Sequence, residues 1–222
     1  MVDERLRGAA AHVLVANVEA IELDDEGEHH LRRVLRIRSG QTVTITDGAG
    51  SWRECTWTGN HLEVVGPTMF VERPTSVAIA VAIPKQDRPD WMVAKLVECG
   101  VDRIVLLHAA RSVVRWESDR VERHLDRLER ISRSALEQSR SVYRCAIEGP
   151  VEASSLLPTA VVAEPGGRQL EPSDAVVAIG PEGGWTPEEV VEAAGSVDLG
   201  DRVLRVETAA LVAALKMIDL RR

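Results

Sequence analysis

The feature that most constrains the fold of this chain is an apolar segment that leads through a glycine-rich loop into a strongly marked helix start. Residues 175–179 predict a short buried strand, and the loop 180–184 that follows holds three glycines and a proline. Thr186 is a suitable helix N-cap, and Glu189 lies three residues later, which is the spacing of a capping box. This order of elements exposes unpaired backbone N–H groups at the edge of an α/β sheet where ligands commonly bind.

A second run, residues 199–209, has the same design and follows soon after the first. Gly200 predicts a turn, Val203–Val206 predicts a strand, and Thr208 predicts the start of an apolar helix. Two such loops close together in sequence predict one composite pocket, with the glycine-containing turn 164–167 beside it.

From Ser76 onward, strand patterns alternate with helix patterns. Such alternation is typical of a parallel α/β sheet with helices on its faces. In chain order the predicted elements are a strand at 77–83, a helix at 90–99, a strand at 104–107, a long helix from Ser118, strands at 160–163 and 175–179, and a final helix at 209–220.

The N-terminal part, residues 10–72, has a different rhythm of short strands and tight turns. One basic segment, Glu28–Arg36, predicts a helix between the strands. The pattern indicates a small β-barrel followed by a hinge at 73–75, so we predict domains at 1–72 and 73–222. The predicted strands are Val13–Val18, Thr42–Thr46, Trp52–Trp57 and Leu62–Val65.

Composition argues against several classes of protein. The 222 residues contain no apolar run of transmembrane length, and the N-terminus lacks the pattern of a secretory signal. Cys55, Cys99 and Cys145 are far apart and form no zinc or disulfide framework, which fits the reducing cytoplasm. The sequence contains no dinucleotide-binding, P-loop, zinc-protease, hydrolase or EF-hand motif, so we expect no metal. Together these features predict a cytoplasmic protein without a membrane partner.

The two C-terminal runs resemble the paired signatures of the 16S rRNA (uracil-N3)-methyltransferase family, a branch of the SPOUT superfamily. The runs are Gly180-Pro181-Glu182-Gly183-Gly184-Trp185-Thr186-Pro187-Glu188-Glu189 and Leu199-Gly200-Asp201-Arg202-Val203-Leu204-Arg205-Val206-Glu207-Thr208-Ala209. Shorter matches lie at Lys85 with Asp87, Lys95 with Glu98, Arg111-Ser112 and Glu137-Gln138-Ser139. The resemblance implies a knotted parallel sheet with helices on both faces, a preceding PUA-like β-barrel, and a homodimer formed through the knot region.

The resemblance also implies a pocket for S-adenosyl-L-methionine. Glycine-containing turns suit adenine because their backbone groups allow close approach, and Val203 and Leu204 would supply apolar walls. The implied cofactor-binding residues are Glu164, Pro165, Ile179, Gly180, Pro181, Glu182, Gly183, Gly184, Leu199, Gly200, Val203, Leu204, Arg205, Thr208 and Ala209.

Two residues are candidates for the chemistry at uracil N3. Arg205 is the first candidate for a donor that stabilises charge on the uracil oxygens, with Arg111 or Arg140 as second choices. Glu207 is the candidate base for the N3 proton, although a Glu beside Thr208 also fits a simple helix cap.

The formal net charge of −8 is unusual for an RNA-binding protein, so the distribution of charge matters more than its sum. Residues 29–38 hold four Arg and two His with no acid, and residues 111–144 hold nine Arg against six acids. Both segments predict RNA-facing patches, although the second also fits a solvated helix face with ion pairs. The predicted RNA-binding residues are His30, Arg32, Arg33, Arg36, Lys85, Arg111 and Arg140.

The sequence therefore predicts an S-adenosylmethionine-dependent methyltransferase that modifies N3 of a uridine in 16S rRNA within the 30S subunit. Departures from the family pattern at Gln86, Ala110 and Ser141 fall in elements expected to contact RNA, whereas the pocket motifs depart only at Val206. The alternatives are a SPOUT enzyme that acts on tRNA or on a ribose 2′-OH, and a non-catalytic RNA-binding module that kept the pocket.

Overall fold

The computed structural model describes residues 3–73 and 75–221, which form two compact units. The first unit is Met1–Arg73 with Arg133–Arg144, and the second is Pro74–Ser132 with Cys145–Arg222. The segment Arg133–Arg144, which the sequence analysis placed in the second domain, therefore packs in the first unit.

The first unit is built on a five-stranded sheet with strand order β1-β2-β3-β4, and β5 also pairs with β3. The β1–β2 pair is parallel and the other pairs are antiparallel. Its apolar core includes Val13, Leu31, Ile45 and Trp57. The strands are β1 (Ala11–Leu14), β2 (Thr42–Thr46), β3 (Ser51–Trp57), β4 (Leu62–Val64) and β5 (Met69–Phe70).

Two helical segments complete this unit. Helix α1 spans Glu4–Gly8, and α2 spans Asp25–His29 and continues into a π-helical turn at His30–Val34. The helix therefore begins three residues earlier than the predicted segment Glu28–Arg36. The turn buries Leu31 in the core.

Buried polar contacts hold the segment Arg133–Arg144 in the first unit. His12 Nδ1 lies 2.8 Å from the Thr44 hydroxyl, and His12 Nε2 lies 3.0 Å from the Ser141 carbonyl oxygen. The Glu137 carboxylate accepts a hydrogen bond of 3.1 Å from the Leu14 N–H group. Burial lowers the pKa of His12 to about 4, so its ring is neutral at physiological pH.

The second unit is built on a six-stranded parallel sheet with strand order β11-β9-β10-β6-β7-β8. Its inner strands are apolar and buried, as expected for a sheet covered on both faces. The strands are β6 (Ala78–Ala82), β7 (Arg103–His108), β8 (Ala146–Glu152), β9 (Val161–Arg168), β10 (Val176–Ile179) and β11 (Gly195–Val197). The helices are α3 (Arg88–Cys99), α4 (Ser118–Ser139), α5 (Pro187–Glu192) and α6 (Val206–Asp219).

The strand predicted at Val203–Val206 is wrong. Residues 203–205 have no regular structure, and Val206 is the first residue of α6, so Thr208 lies inside the helix instead of capping it. β-branched residues form a strand only where a ladder partner is available, and here the edge of β9 is already taken by β11. Strands β8 and β11 were not anticipated, since both are short of apolar residues.

Neither a membrane-spanning helix nor a cluster of metal ligands occurs among residues 3–73 and 75–221. No helix in the described ranges is long and apolar enough to cross a membrane. Within the same ranges, no group of three or more His, Cys, Asp or Glu side chains is arranged to hold a metal ion.

Candidate active site

Three loops of the second unit follow the neighbouring parallel strands β10, β6 and β7 and leave the same edge of the sheet, and the turn 164–167 lies within the adjacent strand β9. The strands β9, β10, β6 and β7 are adjacent in this order. The carboxyl ends of parallel strands form the usual ligand-binding edge of an open α/β sheet. The three loops at this edge are 180–185, 84–87 and 109–117.

The loop 180–185, here called the capped loop, is fixed by a neighbouring arginine. Arg111 Nη1 donates hydrogen bonds of 3.0 Å to the Gly183 carbonyl and 3.0 Å to the Trp185 carbonyl. Arg111 was predicted to contact RNA, and in the structure it also holds the backbone of the capped loop.

The predicted capping box is present and extends further than the sequence suggested. The buried Glu189 carboxylate accepts one hydrogen bond of 2.8 Å from the Thr186 N–H group and another of 2.8 Å from the Ala110 N–H group. The Thr186 hydroxyl accepts from the Glu189 N–H group at 3.2 Å. One carboxylate thus joins the start of α5 to the loop after β7.

Trp185 closes the base of the capped loop and belongs to the hydrophobic core of the second unit. A Cβ atom at Gly180 would lie 2.9 Å from the Trp185 ring, so only glycine fits there. Gly184 has a φ of 72°, a conformation that glycine adopts without strain. The glycines of this loop are therefore required by packing and by backbone geometry.

The turn 164–167 bulges out of β9. Ser196 of β11 pairs with Val162, whereas the next residue, Val197, pairs with Arg168, so the residues between them leave the ladder. Gly167 returns the chain against β11, where a Cβ atom would lie 2.6 Å from the Val197 nitrogen. The predicted residues Glu164 and Pro165 lie in this bulge.

The loop 198–205, here called the open loop, is held to the bulge by Asp198. Its carboxylate accepts hydrogen bonds from the Gly200 N–H group at 2.7 Å and the Gly166 N–H group at 2.9 Å. These two bonds lower the pKa of Asp198 below its usual value. Asp198 was not predicted as a site residue, although an Asp two residues before a glycine is a common turn signal.

The remainder of the open loop is exposed. Val203 is fully solvent-accessible, Leu204 is partly buried, and Arg205 is exposed at the N-cap position of α6. Val203 therefore forms no apolar wall in the isolated chain, and its predicted contact needs a further surface to complete it.

Glu207, in the first turn of α6, is buried, and only one of its two carboxylate oxygens lies near a charged partner. Its Oε1 atom lies 3.7 Å from Arg88 Nε, and Arg88 Nη1 lies 3.9 Å from Glu182 Oε1 of the capped loop. The Glu207 Oε2 atom is buried and has no hydrogen-bond partner among the described residues. Because an unpaired buried carboxylate oxygen is costly, this atom marks the place where a ligand donor fits. Arg88 was not predicted as a site residue.

The predicted RNA-binding residues fall in both units. His30, Arg32, Arg33, Arg36 and Arg140 lie in the first unit, and Lys85 and Arg111 lie in the second. Arg32 pairs with Glu28 at 3.0 Å, and Arg140 donates a hydrogen bond of 3.0 Å to the Ala9 carbonyl. Arg33, Arg36 and Lys85 are exposed.

The family described as the RNA methyltransferase domain matches residues 71–218, and the RNA methyltransferase PUA domain matches residues 23–62. The chain belongs to the RNA methyltransferase family. The predicted family and fold class are confirmed by this match, while the knot stays a prediction.

Curated relatives within this RNA methyltransferase family carry the name ribosomal RNA small subunit methyltransferase E. The protein from Synechocystis sp. is 30% identical over 212 residues, covering 83% of this chain and 68% of the relative. The Mycobacterium tuberculosis protein is 28% identical, with 85% and 82% covered. The Bacillus subtilis protein is 27% identical, with 90% of each covered.

Solved structures agree with this placement in the RNA methyltransferase family. A ribosomal RNA small subunit methyltransferase E from Neisseria gonorrhoeae, crystallised with bound S-adenosyl methionine, has a TM-score of 0.83 at 28% identity, covering 95% of this chain and 97% of that chain. A probable rRNA-methyltransferase from Porphyromonas gingivalis has a TM-score of 0.78 at 30% identity, with 95% and 98% covered.

Proposed function

We propose that this RNA methyltransferase transfers the methyl group of S-adenosylmethionine to N3 of a uridine in the 16S rRNA of the small ribosomal subunit. The observation that carries the proposal is the buried, unpartnered Glu207 Oε2 atom. The other oxygen of this carboxylate, Oε1, lies near Arg88, which also lies near Glu182 of the glycine-rich capped loop. The N3–H group of uracil is a donor of the kind that this oxygen lacks.

The chain's own groups suit the cofactor. The capped loop presents backbone N–H and C=O groups held in place by Arg111 and Glu189, so binding costs little ordering of this loop. Gly180 and Gly183 let the loop pack closely against Trp185 and Arg111, where a Cβ atom would lie 2.9 Å from the Trp185 ring and 3.3 Å from the Arg111 side chain. When bound, S-adenosylmethionine supplies an electrophilic methyl group on its sulfonium.

Glu207 and Arg205 would act on the base. The proton on uracil N3 has to leave before the nitrogen lone pair can form the new N–C bond, and Glu207 Oε2 is the proposed acceptor. Arg88, near the other oxygen of this carboxylate, restricts its orientation. Arg205 is exposed at the start of the same helix and is proposed to stabilise negative charge on the uracil oxygens.

The test is incubation of the purified protein with labelled S-adenosylmethionine and 30S subunits from cells that lack the modification. Mass spectrometry of the digested RNA is expected to find N3-methyluridine in 16S rRNA. Methylation of tRNA or of a ribose instead, in parallel reactions, would overturn the assignment of the substrate.

A variant separates the role of Glu207 as a base from a role in capping. Glu207→Gln keeps the shape and removes the base, so kcat is expected to fall by about 10²–10⁴-fold while the cofactor Kd changes little. Glu192→Gln, an exposed acid at the end of α5, is the matched control and is expected to leave kcat unchanged. An unchanged kcat for Glu207→Gln would leave Glu207 as a structural residue.

We also propose that α6 packs against a second copy of the chain. Leu215 in the second half of α6 exposes 50% of its surface, and Val203 in the open loop that precedes α6 is fully exposed. A second subunit packed against α6 and the open loop would cover both side chains. Light scattering is expected to give a dimer for the wild type and a monomer for Leu215→Glu.

A further inference from the structure

The second unit contains a cleft that the proposed chemistry does not use. It lies between the turn 84–87 and the first half of α4, and its volume of about 90 Å³ is that of roughly three water molecules. The residues that matter for its chemistry are Gln86, Asp90, Trp116, His124 and Arg127, all of which line it.

An aromatic pair forms one wall. The Trp116 and His124 rings are stacked, with their centroids 4.4 Å apart and their planes 19° from parallel. Both side chains are only partly buried. Stacked aromatic rings that remain open to solvent are what proteins use to hold unpaired bases of single-stranded RNA.

Donors and acceptors stand beside this wall. Arg127 and Asp90 form an ion pair, which places a guanidinium and a carboxylate side by side at the cleft. Gln86 adds an amide, which both donates and accepts. Such a mixture matches the edge of a nucleobase, which also carries donors and acceptors next to each other, better than it matches a phosphate.

Gln86 holds an unfavourable backbone conformation at the rim of the cleft. Its φ of 62° lies in the left-handed region, which glycine enters without strain and which other residues seldom adopt. Residues held in this way are found disproportionately at functional sites. The strained position carries an exposed polar side chain where a glycine would fit the backbone better.

The cleft adjoins the active site through one short turn. Two residues after Gln86, Arg88 makes the contacts with Glu182 and Glu207 described above. A group bound in the cleft therefore lies next to the position proposed for the target uridine. Stacking is also useful in a chain with a formal net charge of −8, because it does not depend on attraction to phosphates.

We propose that this cleft binds a nucleobase adjacent to the methylated uridine, by stacking against the Trp116–His124 wall and hydrogen bonding to Gln86 and the Asp90–Arg127 pair. The proposal rests on the proposed function, since it requires an RNA substrate.

Three variants test the proposal: Trp116→Leu removes the stacking surface, Trp116→Phe keeps an aromatic ring as the matched control, and Gln86→Gly removes the amide. The glycine variant relieves the strained φ, so it is expected to fold at least as stably as the wild type. The measurements are the Kd for unmodified 30S subunits over a range of salt concentrations, the KM of methylation, and the Kd for S-adenosylmethionine.

We expect Trp116→Leu to raise the Kd and KM for 30S subunits by about 5- to 100-fold, the range for loss of one stacked base. Trp116→Phe is expected to retain most of the affinity, and Gln86→Gly to lose about fivefold or more. The Kd for S-adenosylmethionine stays unchanged. The slope of log Kd against log salt concentration also stays unchanged, because no phosphate contact is removed.

Unchanged RNA affinity in both Trp116→Leu and Gln86→Gly would overturn the proposal, as would a reduced salt slope, which indicates a phosphate contact instead. If Trp116→Leu fails to fold, the RNA affinity of Gln86→Gly decides the outcome, with Trp116→Phe still the control. A wild type that binds 30S subunits without methylating them would refute the proposed function alone, and the binding data would still test the cleft.

Discussion

The capped loop and the open loop flank the same candidate site, yet they are held in different ways. The capped loop is fixed by Arg111 and Glu189, and Trp185 packs beneath it. The described contacts of the open loop depend largely on one exposed carboxylate, that of Asp198.

The difference indicates a division of labour between the loops. Backbone groups that are already in position bind a ligand without paying for their own ordering, whereas an exposed loop has to be ordered by whatever covers it. The capped loop is therefore suited to define the cofactor position, and the open loop is suited to close over the cofactor or against a second subunit.

The largest loss of stability is expected from Gly167→Ala, which disrupts the bulge of β9 to which Asp198 of the open loop is hydrogen-bonded. The new Cβ atom would lie 2.6–2.7 Å from backbone atoms of Ser196 and Val197, which cannot move aside without breaking the β9–β11 pairing. We expect the free energy of unfolding in urea to fall by about 3 kcal/mol, at the upper end of overpacking penalties.

The matched control is Gly8→Ala in the first unit, where a new Cβ atom meets nothing within 4 Å. It is expected to change the free energy of unfolding by no more than about 0.5 kcal/mol. Equal effects of the two variants would mean that the bulge of β9 is looser than its geometry indicates.

The next largest loss of stability is expected from Glu189→Gln, which removes one of the two hydrogen bonds that the Glu189 side chain accepts beside the capped loop. The glutamine keeps one acceptor oxygen but turns an NH₂ group toward a backbone N–H group of Thr186 or Ala110. Leaving one part-buried donor unsatisfied beside the buried Glu189 side chain is expected to lower the free energy of unfolding by about 2 kcal/mol. Glu192→Gln on the exposed end of α5 serves as the control, and a comparable loss there would show that the charge of α5, not the hydrogen bonds of Glu189, is responsible.

The same contrast explains which features were predictable from sequence. The capped loop is encoded locally, since Thr186, Pro187 and Glu189 specify the helix start within four residues, and its prediction is confirmed. The open loop looked like a strand because Val203 and Val206 are β-branched, but strand formation depends on an available edge elsewhere in the sheet. Local patterns carry no information about that edge.

Long-range polar contacts could also not be predicted from the sequence. Arg88 and Glu207 are far apart along the chain, and their proximity depends on how α3 and α6 pack together. The place of Arg133–Arg144 in the first unit depends on buried contacts of His12 and Glu137, which no local periodicity reveals.

A smaller effect, on cofactor affinity, is expected from Arg111→Ala, which loosens the capped loop without leaving a buried polar group unpaired. Two hydrogen bonds to the carbonyls of Gly183 and Trp185 are lost, but both carbonyls gain access to water because Arg111 is exposed. We expect the Kd for S-adenosylmethionine to rise about fivefold, corresponding to about 1 kcal/mol. Arg111→Lys should recover only part of this loss, since an ammonium lacks the planar geometry of the guanidinium. A cofactor Kd unaffected by either change would show that the loop keeps its shape without Arg111.

The smallest effect is expected from Asp198→Asn, because this carboxylate is exposed. Its pKa is lowered from the usual 3.8 by hydrogen bonds from the Gly200 and Gly166 N–H groups. The folded form therefore gains stability from the ionised carboxylate above pH 3.8, and loses it as the pH falls through the lower folded value. At neutral pH the asparagine retains one acceptor, so amide hydrogen exchange at Gly166 or Gly200 should speed up severalfold while global stability holds. Asp201→Asn, an exposed neighbour in the same loop, is the control. If its amide exchange matches that of Asp198→Asn, the open loop is not anchored by Asp198, and the contrast between the two loops is sharper than the hydrogen bonds indicate.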